Sequence, residues 1–428
     1  MKYDCVIAGG GPAGATCAEI LGKNGIEVIM FEKGGENRYK CCAGGLMWHN
    51  ELDFGLLPPE LVEREVEHLF LSGPTQSVNL CINDNSSKLG QLVYRNRFDS
   101  YLREQAAKKG VIIELNSEVI NAECHKNFIE VEVKHGTETR NVKADSLVIA
   151  VGLHDTKLQQ KLRIDRPTDV EQAINAEFHL PRKIIEERFG GGAYDLYFDS
   201  RIASHGYFWI FTKKEGLSIG LCDKVVNIEH FRNIISHHPI IAKKLEGAKP
   251  LPYDGKHIWA ANIPDRIPEY IYQNRILLVG DAAGFSDRFT YEGIWHARLS
   301  GKFAAETLIK AKKREDFSAS QLQSYQKKCA KIFRLVLNSQ RMHHVAYHTG
   351  YLDLIIDTVA EILHKSTLAE KIVPNIQIIL EGFLDLENKV TSLSMLLQQE
   401  LLDALRSKVN RTTWKKINQE LEFALSLS

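Results

Sequence analysis

At 428 residues, 44% hydrophobic and 25% charged, the chain is long enough for a large buried core or two to three domains, which excludes a disordered or collagen-like chain. Its 54 Lys and Arg balance 54 Asp and Glu, so no long-range field draws a polyanion, and a dedicated nucleic-acid binder is disfavoured. Eight cysteines without metal-ligand spacing exclude a disulfide scaffold, and no run approaches the ~20 apolar residues of a membrane span. The chain opens directly into a strand pattern with no signal-peptide signature, so a cytoplasmic, reducing setting is expected.

In chain order, residues 3–8 predict a short apolar strand ending at Gly9-Gly10-Gly11-Pro12-Ala13-Gly14. Residues 15–23 then predict a helix and 27–32 a second strand. In such a βαβ unit Gly9 permits the tight turn, Gly11 lets backbone approach a pyrophosphate, and Gly14 allows close helix–strand packing. Glu32, with Lys33 after it, ends the second strand, where a carboxylate accepts both ribose hydroxyls of an adenosine and repels a 2′-phosphate. The unit therefore favours FAD or NAD over NADP. Residues 147–150 read as a further strand of the same sheet. Residues 175–180, 193–198, 206–211 and 217–222 alternate as strands of an antiparallel sheet. Within 206–211, Tyr207, Trp209 and Phe211 share one face as an aromatic wall, with Phe208 and Ile210 on the other. Residues 275–280 form another apolar strand ending in Gly280-Asp281, with a helix starting near Gly293. Beyond it Leu352, Ile355, Ile356, Val359, Ile362 and Leu363 keep helical spacing, and similar patterns recur to Leu425. His343, His344 and His348 read as a solvated helical face, since no carboxylate or cysteine completes a metal site.

The 275–284 strand and its Gly-Asp end resemble the FAD-dependent oxidoreductases of the p-hydroxybenzoate hydroxylase class. Lys40-Cys41-Cys42-Ala43-Gly44-Gly45 and the aromatic strand resemble the geranylgeranyl reductase family within it. The resemblance covers about residues 1–310. It implies an α/β fold: a Rossmann-like FAD-binding domain with an inserted antiparallel β-sheet substrate domain and a helical C-terminal extension. The expected boundaries are 1–72, 94–165 and 265–312 for a discontinuous FAD-binding domain, 73–93 and 166–264 for the substrate domain, and 313–428 for the helical one. The resemblance also implies that Asp281 holds a ribityl hydroxyl and that Gly293 and Ile294 present helix N–H groups to the flavin edge. Arg95 and Val119 would lie beside the cofactor, and Cys42, Ala43 and Gly45 against the isoalloxazine, where small residues let backbone lie flat on a ring. Gly9, Gly11, Ala13, Gly14, Glu32 and Lys33 complete the expected cofactor set.

Three departures from the family pattern stand out. Val151 replaces a carboxylate, Arg288 and Tyr291 stand where the family has Pro and Gly, and Thr212 replaces a Pro. The expected activity is reduction of isolated C=C bonds in isoprenoid chains of a lipid or prenyl diphosphate. Cys42 is the expected acid, because a thiol of pKa ~8.5 is mostly protonated at neutral pH and can donate. Tyr207, Trp209 and Phe211 would bind the substrate. The electron donor stays open between NAD(P)H, ferredoxin and others, and a lipid substrate allows peripheral membrane contact. A flavin monooxygenase acting as an aromatic hydroxylase, and an electron-transferring lipid-binding flavoprotein, are the alternatives.

Overall fold

The computed structural model of the protein describes residues 2–81, 89–153, 157–167, 170–253, 255–348, 350–365 and 392–426. Its first sheet is built around Lys2–Ala8, which lies between Glu138–Ile149 and Val28–Glu32, parallel to both. Ile112–Leu115 and Ile276–Leu278 extend it in parallel on either side. These strands are apolar runs rather than alternating ones because both faces are covered: Val6, Ile7, Leu147, Val148 and Ile149 are all fully buried. The hairpin Ser117–Cys124 and Ile129–His135 adds an antiparallel flap to Glu138–Ile149. The helices Pro12–Lys23, Arg95–Ala107 and Ile294–Arg314 pack together beside this sheet.

The second sheet runs Lys249–Leu251, Val170–His179, Gly216–Asp223, Phe208–Thr212, Ala193–Tyr197, His68–Ser72 and Ser77–Cys81, with Trp259–Pro264 also paired to Val170–His179. It is antiparallel except where Ala193–Tyr197 meets His68–Ser72 in parallel. That pairing corrects the boundary at residue 72: His68–Ser72 belongs to this sheet, because its backbone hydrogen bonds are made with Ala193–Tyr197 and Ser77–Cys81. The period-2 pattern sorts the two faces. Ile174, Ala176, Phe178, Phe208, Ile210, Leu217 and Ile219 pack with residues of the helices Arg182–Phe189 and Ile228–His237, such as Ile185 and Phe231. Ala173, Tyr207, Trp209 and Cys222 face the other way.

The C-terminal part is helical among the described residues: Ala319–Lys328, Ala330–His343, Leu352–Lys365, Ser392–Lys408 and Arg411–Ser426. The apolar periodicity expected across residues 366–391 lies outside the described residues. Leu352–Lys365 seats on the second sheet through two carboxylates. Asp357 accepts from the N–H groups of Thr75 (3.2 Å) and Gln76 (3.0 Å), and Asp353 from the Ser200 N–H (2.8 Å). His343 is not on a solvated face. It is buried, with Nε2 3.1 Å from the His205 carbonyl, because Ala330–His343 packs inward against the site. Among the described residues no helix is long and apolar enough to cross a membrane.

Candidate cofactor and substrate site

One cavity of about 1350 Å³ runs between the two sheets and on to the C-terminal helices. Its first end is the glycine turn. Gly9 adopts φ +107°, and a Cβ there would stand 2.3 Å from the Ala150 carbonyl, so only glycine closes the strand against its neighbour. A Cβ at Gly14 would meet the Gly9 carbonyl at 2.0 Å, which holds helix Pro12–Lys23 tight against the strand end. At Gly11 a Cβ would instead stand in the cavity, its nearest neighbour Arg38 Nη2 at 3.4 Å. Gly11 caps Pro12–Lys23 with no side-chain hydrogen bond, so first-turn N–H groups are left for a ligand anion. Glu32 is buried and accepts from the Gly10 and Gly34 N–H groups, both at 2.8 Å; a carboxylate has further lone pairs for ribose hydroxyls.

The opposite wall carries Asp281, Gly293 and Ile294. Ile294–Arg314 is the second helix that points an N-terminus at the cavity, and its cap Gly293 has no side chain to fill that space. Lys40 Nζ lies 3.7 Å from Asp281, tying the 40–45 loop across the cavity. An FAD fits this frame: a helix N-terminus without a side-chain cap at Gly11, a second at Gly293 where the Glu292 carboxylate takes the Trp295 N–H at 2.7 Å, a glycine cradle and an adenosine-side carboxylate. Lys33, Ala13, Val119 and Arg95 also line the cavity. Arg95 is buried and forks onto Asp99 at 2.9 and 3.0 Å, and Arg38 reaches the same carboxylate at 3.1 Å. Burial would raise Asp99, but Arg95 and Arg38 hold its carboxyl below the ordinary range.

The loop at 40–45 separates two adjacent cysteines. Cys41 also lines the cavity, but its thiol lies 3.5 Å from the Trp259 carbonyl, and burial pushes it up to about 12. Cys42 lines the cavity, beside Ala43 and Gly45. Gly44, at φ +71°, turns the loop, and a Cβ there would meet the Val93 carbonyl at 2.0 Å. Beneath this turn Lys213 is almost wholly buried. Its ammonium donates to the carbonyls of Ala43 at 2.7 Å and Val93 at 2.9 Å.

Tyr207, Trp209 and Phe211 line the middle of the cavity, and beyond them the walls become aliphatic: Leu69, Leu71, Ile355, Ile356, Val359, Leu363, Leu405 and Ile417. Of the departures, Val151 lines the cofactor end. Thr212 closes the strand end, its hydroxyl donating to the Gly191 carbonyl at 3.0 Å and accepting from Ala193 N–H at 2.8 Å. Tyr291 sits at φ +56°, a conformation that suits the family's glycine. It is held there by its hydroxyl, whose single proton is shared between Glu171 and the His205 carbonyl. Arg288 bonds Glu171 at 2.7 Å, and its N–H donates to Ser339 of Ala330–His343 at 2.8 Å. The bulky loop thus joins the cofactor end to the sheet and the C-terminal helices.

Sequence reasoning named Lys40 only within the 40–45 motif and gave no role to Glu171, Glu177 or Lys213. Glu171, Ala173, Asn175 and Glu177 alternate with Ile174, Ala176 and Phe178 in one strand, and three of those four are polar yet buried. Two carboxylates on the inward face of a strand covered on both sides were the available signal.

Residues 3–158 match the family model described as pyridine nucleotide-disulphide oxidoreductase. Protein FixC of Escherichia coli strain K12 is 27% identical over 359 residues, spanning 76% of this chain and 80% of that one. The digeranylgeranylglycerophospholipid reductase of Methanocaldococcus jannaschii is 28% identical over 331 residues, spanning 76% and 82%. The crystal structure of a geranylgeranyl bacteriochlorophyll reductase-like protein from Thermoplasma acidophilum superposes with a TM-score of 0.73 at 21% identity. It covers 93% of this chain and 99% of that one, and it shares the fold.

Proposed function

The chain belongs to the geranylgeranyl reductase family of FAD-dependent oxidoreductases, and we propose that it reduces isolated carbon–carbon double bonds in isoprenoid chains carried by a lipid or a diphosphate. The observation that carries this reading is the continuity of the cavity, from the glycine turn past an aromatic wall into an aliphatic arm. FAD, when bound and reduced, supplies the hydride. The chain's own residues hold the cofactor diphosphate at the N-terminus of Pro12–Lys23 and its ribityl side near Asp281 and Lys40. Tyr207, Trp209 and Phe211 grip an extended chain by its apolar surface, and the aliphatic arm takes its far end. An unpolarised alkene gains little from charge, so positioning in a site that excludes water supplies much of the rate. Cys42 donates the proton that the second alkene carbon needs.

The test uses anaerobically reduced protein mixed with geranylgeranyl diphosphate or a digeranylgeranyl phospholipid, with mass spectrometry for gains of two hydrogens. C42A is expected to keep bound FAD and to lose about a hundred-fold or more in product formation. Unchanged turnover by C42A removes the thiol from the mechanism. No product from the wild type removes the reductase reading.

A further inference from the structure

Behind the 40–45 loop lies a second, separate void of about 10 Å³, close to the smallest space that holds one water molecule. Cys42 forms one wall and Glu177 another. Cys42 borders both the large cavity and this void, as do Tyr39, Lys40 and Arg95, and it is the thiol among them; Cys41 lines the large cavity alone, with its thiol 3.5 Å from the Trp259 carbonyl. Glu177 is 4% exposed. Its Oε1 accepts from Ser218 Oγ at 2.8 Å and Asn175 Nδ2 at 2.9 Å, and its Oε2 has no protein partner. A buried carboxyl oxygen without a partner is costly as an anion and inexpensive as a hydroxyl that donates into a water.

We propose that Glu177 is the internal proton store that recharges Cys42 across this void. The inference rests on the proposed role of Cys42 as the acid. After Cys42 has given its proton to the alkene, the thiolate takes a proton through the void from the Glu177 carboxyl. A thiol and a carboxylate result, and the carboxylate is then reprotonated from solvent past Tyr253, a half-buried residue of the void wall, as are Tyr94 and Asn96. The relay is needed because the substrate cavity must stay dry while the thiol must be refilled every turnover. Glu177 acts through Cys42 and touches neither substrate nor cofactor.

The groups around Glu177 come from several segments: Tyr39 and Cys41 from the loop, Tyr94 before helix Arg95–Ala107, Tyr253, and Lys213 after the aromatic strand. Burial raises the Glu177 carboxyl, against the opposing pull of Lys213, and burial lowers the Lys213 ammonium to about 8. The burial shift of Glu177 is toward the protonated carboxyl, while Lys213 remains an ammonium at neutral pH and pulls the other way.

E177Q keeps the oxygen that accepts from Ser218 and Asn175 while removing the transferable proton. In protein kept reduced under anaerobic conditions by excess dithionite and given geranylgeranyl diphosphate or a digeranylgeranyl phospholipid, E177Q is expected to form its first equivalent of product within about twofold of the wild-type rate. It is then expected to slow about a hundred-fold, whereas C42A fails from the first equivalent. Infrared difference spectra of wild type against E177Q at neutral pH are expected to carry the C=O stretch of a protonated carboxyl, a readout that needs no substrate. Steady turnover unimpaired in E177Q, a first-equivalent loss as large as that of C42A, or absence of the infrared band each overturns the relay. If E177Q loses its FAD, E177D takes its place and is expected to turn over steadily at a reduced rate; a rate as low as that of C42A overturns the relay. Product from the wild type with no band overturns the relay alone. No product from the wild type overturns the reductase reading and the relay with it.

Discussion

Tyr291 shows how far a single side chain can set the form of this site. A residue with a Cβ at φ +56° is strained, and the strain is held by one hydroxyl whose proton is shared between Glu171 and the His205 carbonyl. Y291F keeps the ring against Tyr207 but leaves the buried Glu171 carboxylate short of a donor. It is expected to lower stability by about 1–3 kcal/mol in urea unfolding, with a smaller loss for the exposed Y270F as control. What was legible at this scale was residue type at fixed spacing. The glycines of residues 9–14 announced a turn because turn chemistry is local, and the 207, 209, 211 stripe announced a face because the strand period is two. Glu177 and Lys213 were not legible as partners, because 36 residues separate them in sequence and only sheet register and the 40–45 loop bring them together. His343 was misread for the same reason: solvent and core are indistinguishable on a helix until something packs against it.

Among elements, the helix Ile294–Arg314 is charged at both ends. At its last turn Lys312 pairs with Asp145 at 3.1 Å and with Asp4, so part of the basic run at residues 310–314 is spent inside the molecule. In its first turn the His296 imidazole lies 2.7 Å from the Glu292 carboxylate, both buried. Burial alone would depress His296, but Glu292 reverses that and raises it. Burial would raise Glu292, but His296 reverses that and lowers it. The signs fix a window. The histidine contribution is complete below its ordinary 6.5 and is lost as pH climbs through the raised value. The glutamate contribution is complete above its ordinary 4.5 and is lost as pH falls through the lowered one. The stability gap between wild type and H296N is therefore expected to be widest between pH 4.5 and 6.5, and thermal unfolding across pH checks it. A gap that does not vary with pH would mean the pair is not ionised.

For the whole molecule, the proposed reductase reads substrate length in the arm of the cavity. Ile356 on Leu352–Lys365 faces it together with Leu405 and Ile417 from the last two helices. I356W is expected to retain FAD and to reduce a geranyl substrate at close to the wild-type rate, while losing about tenfold or more on a geranylgeranyl one; equal losses on both would place the far end of the chain elsewhere. Both sheets were legible from sequence. The covering of one by C-terminal helices was legible only as helical periodicity, because amphipathic spacing shows that a face is buried and not what buries it.

The same cavity has walls drawn from almost the full length of the chain, from Gly9 to Ile417. The cofactor-end residues named above run no further than Ile294, whereas the arm also draws on Leu405 and Ile417. During synthesis the residues that complete the core under the flavin pocket, as far as Val336, therefore emerge before the helices that close the proposed compartment for a hydrocarbon tail. Assembly imposes an order on the two ligands that catalysis alone does not require.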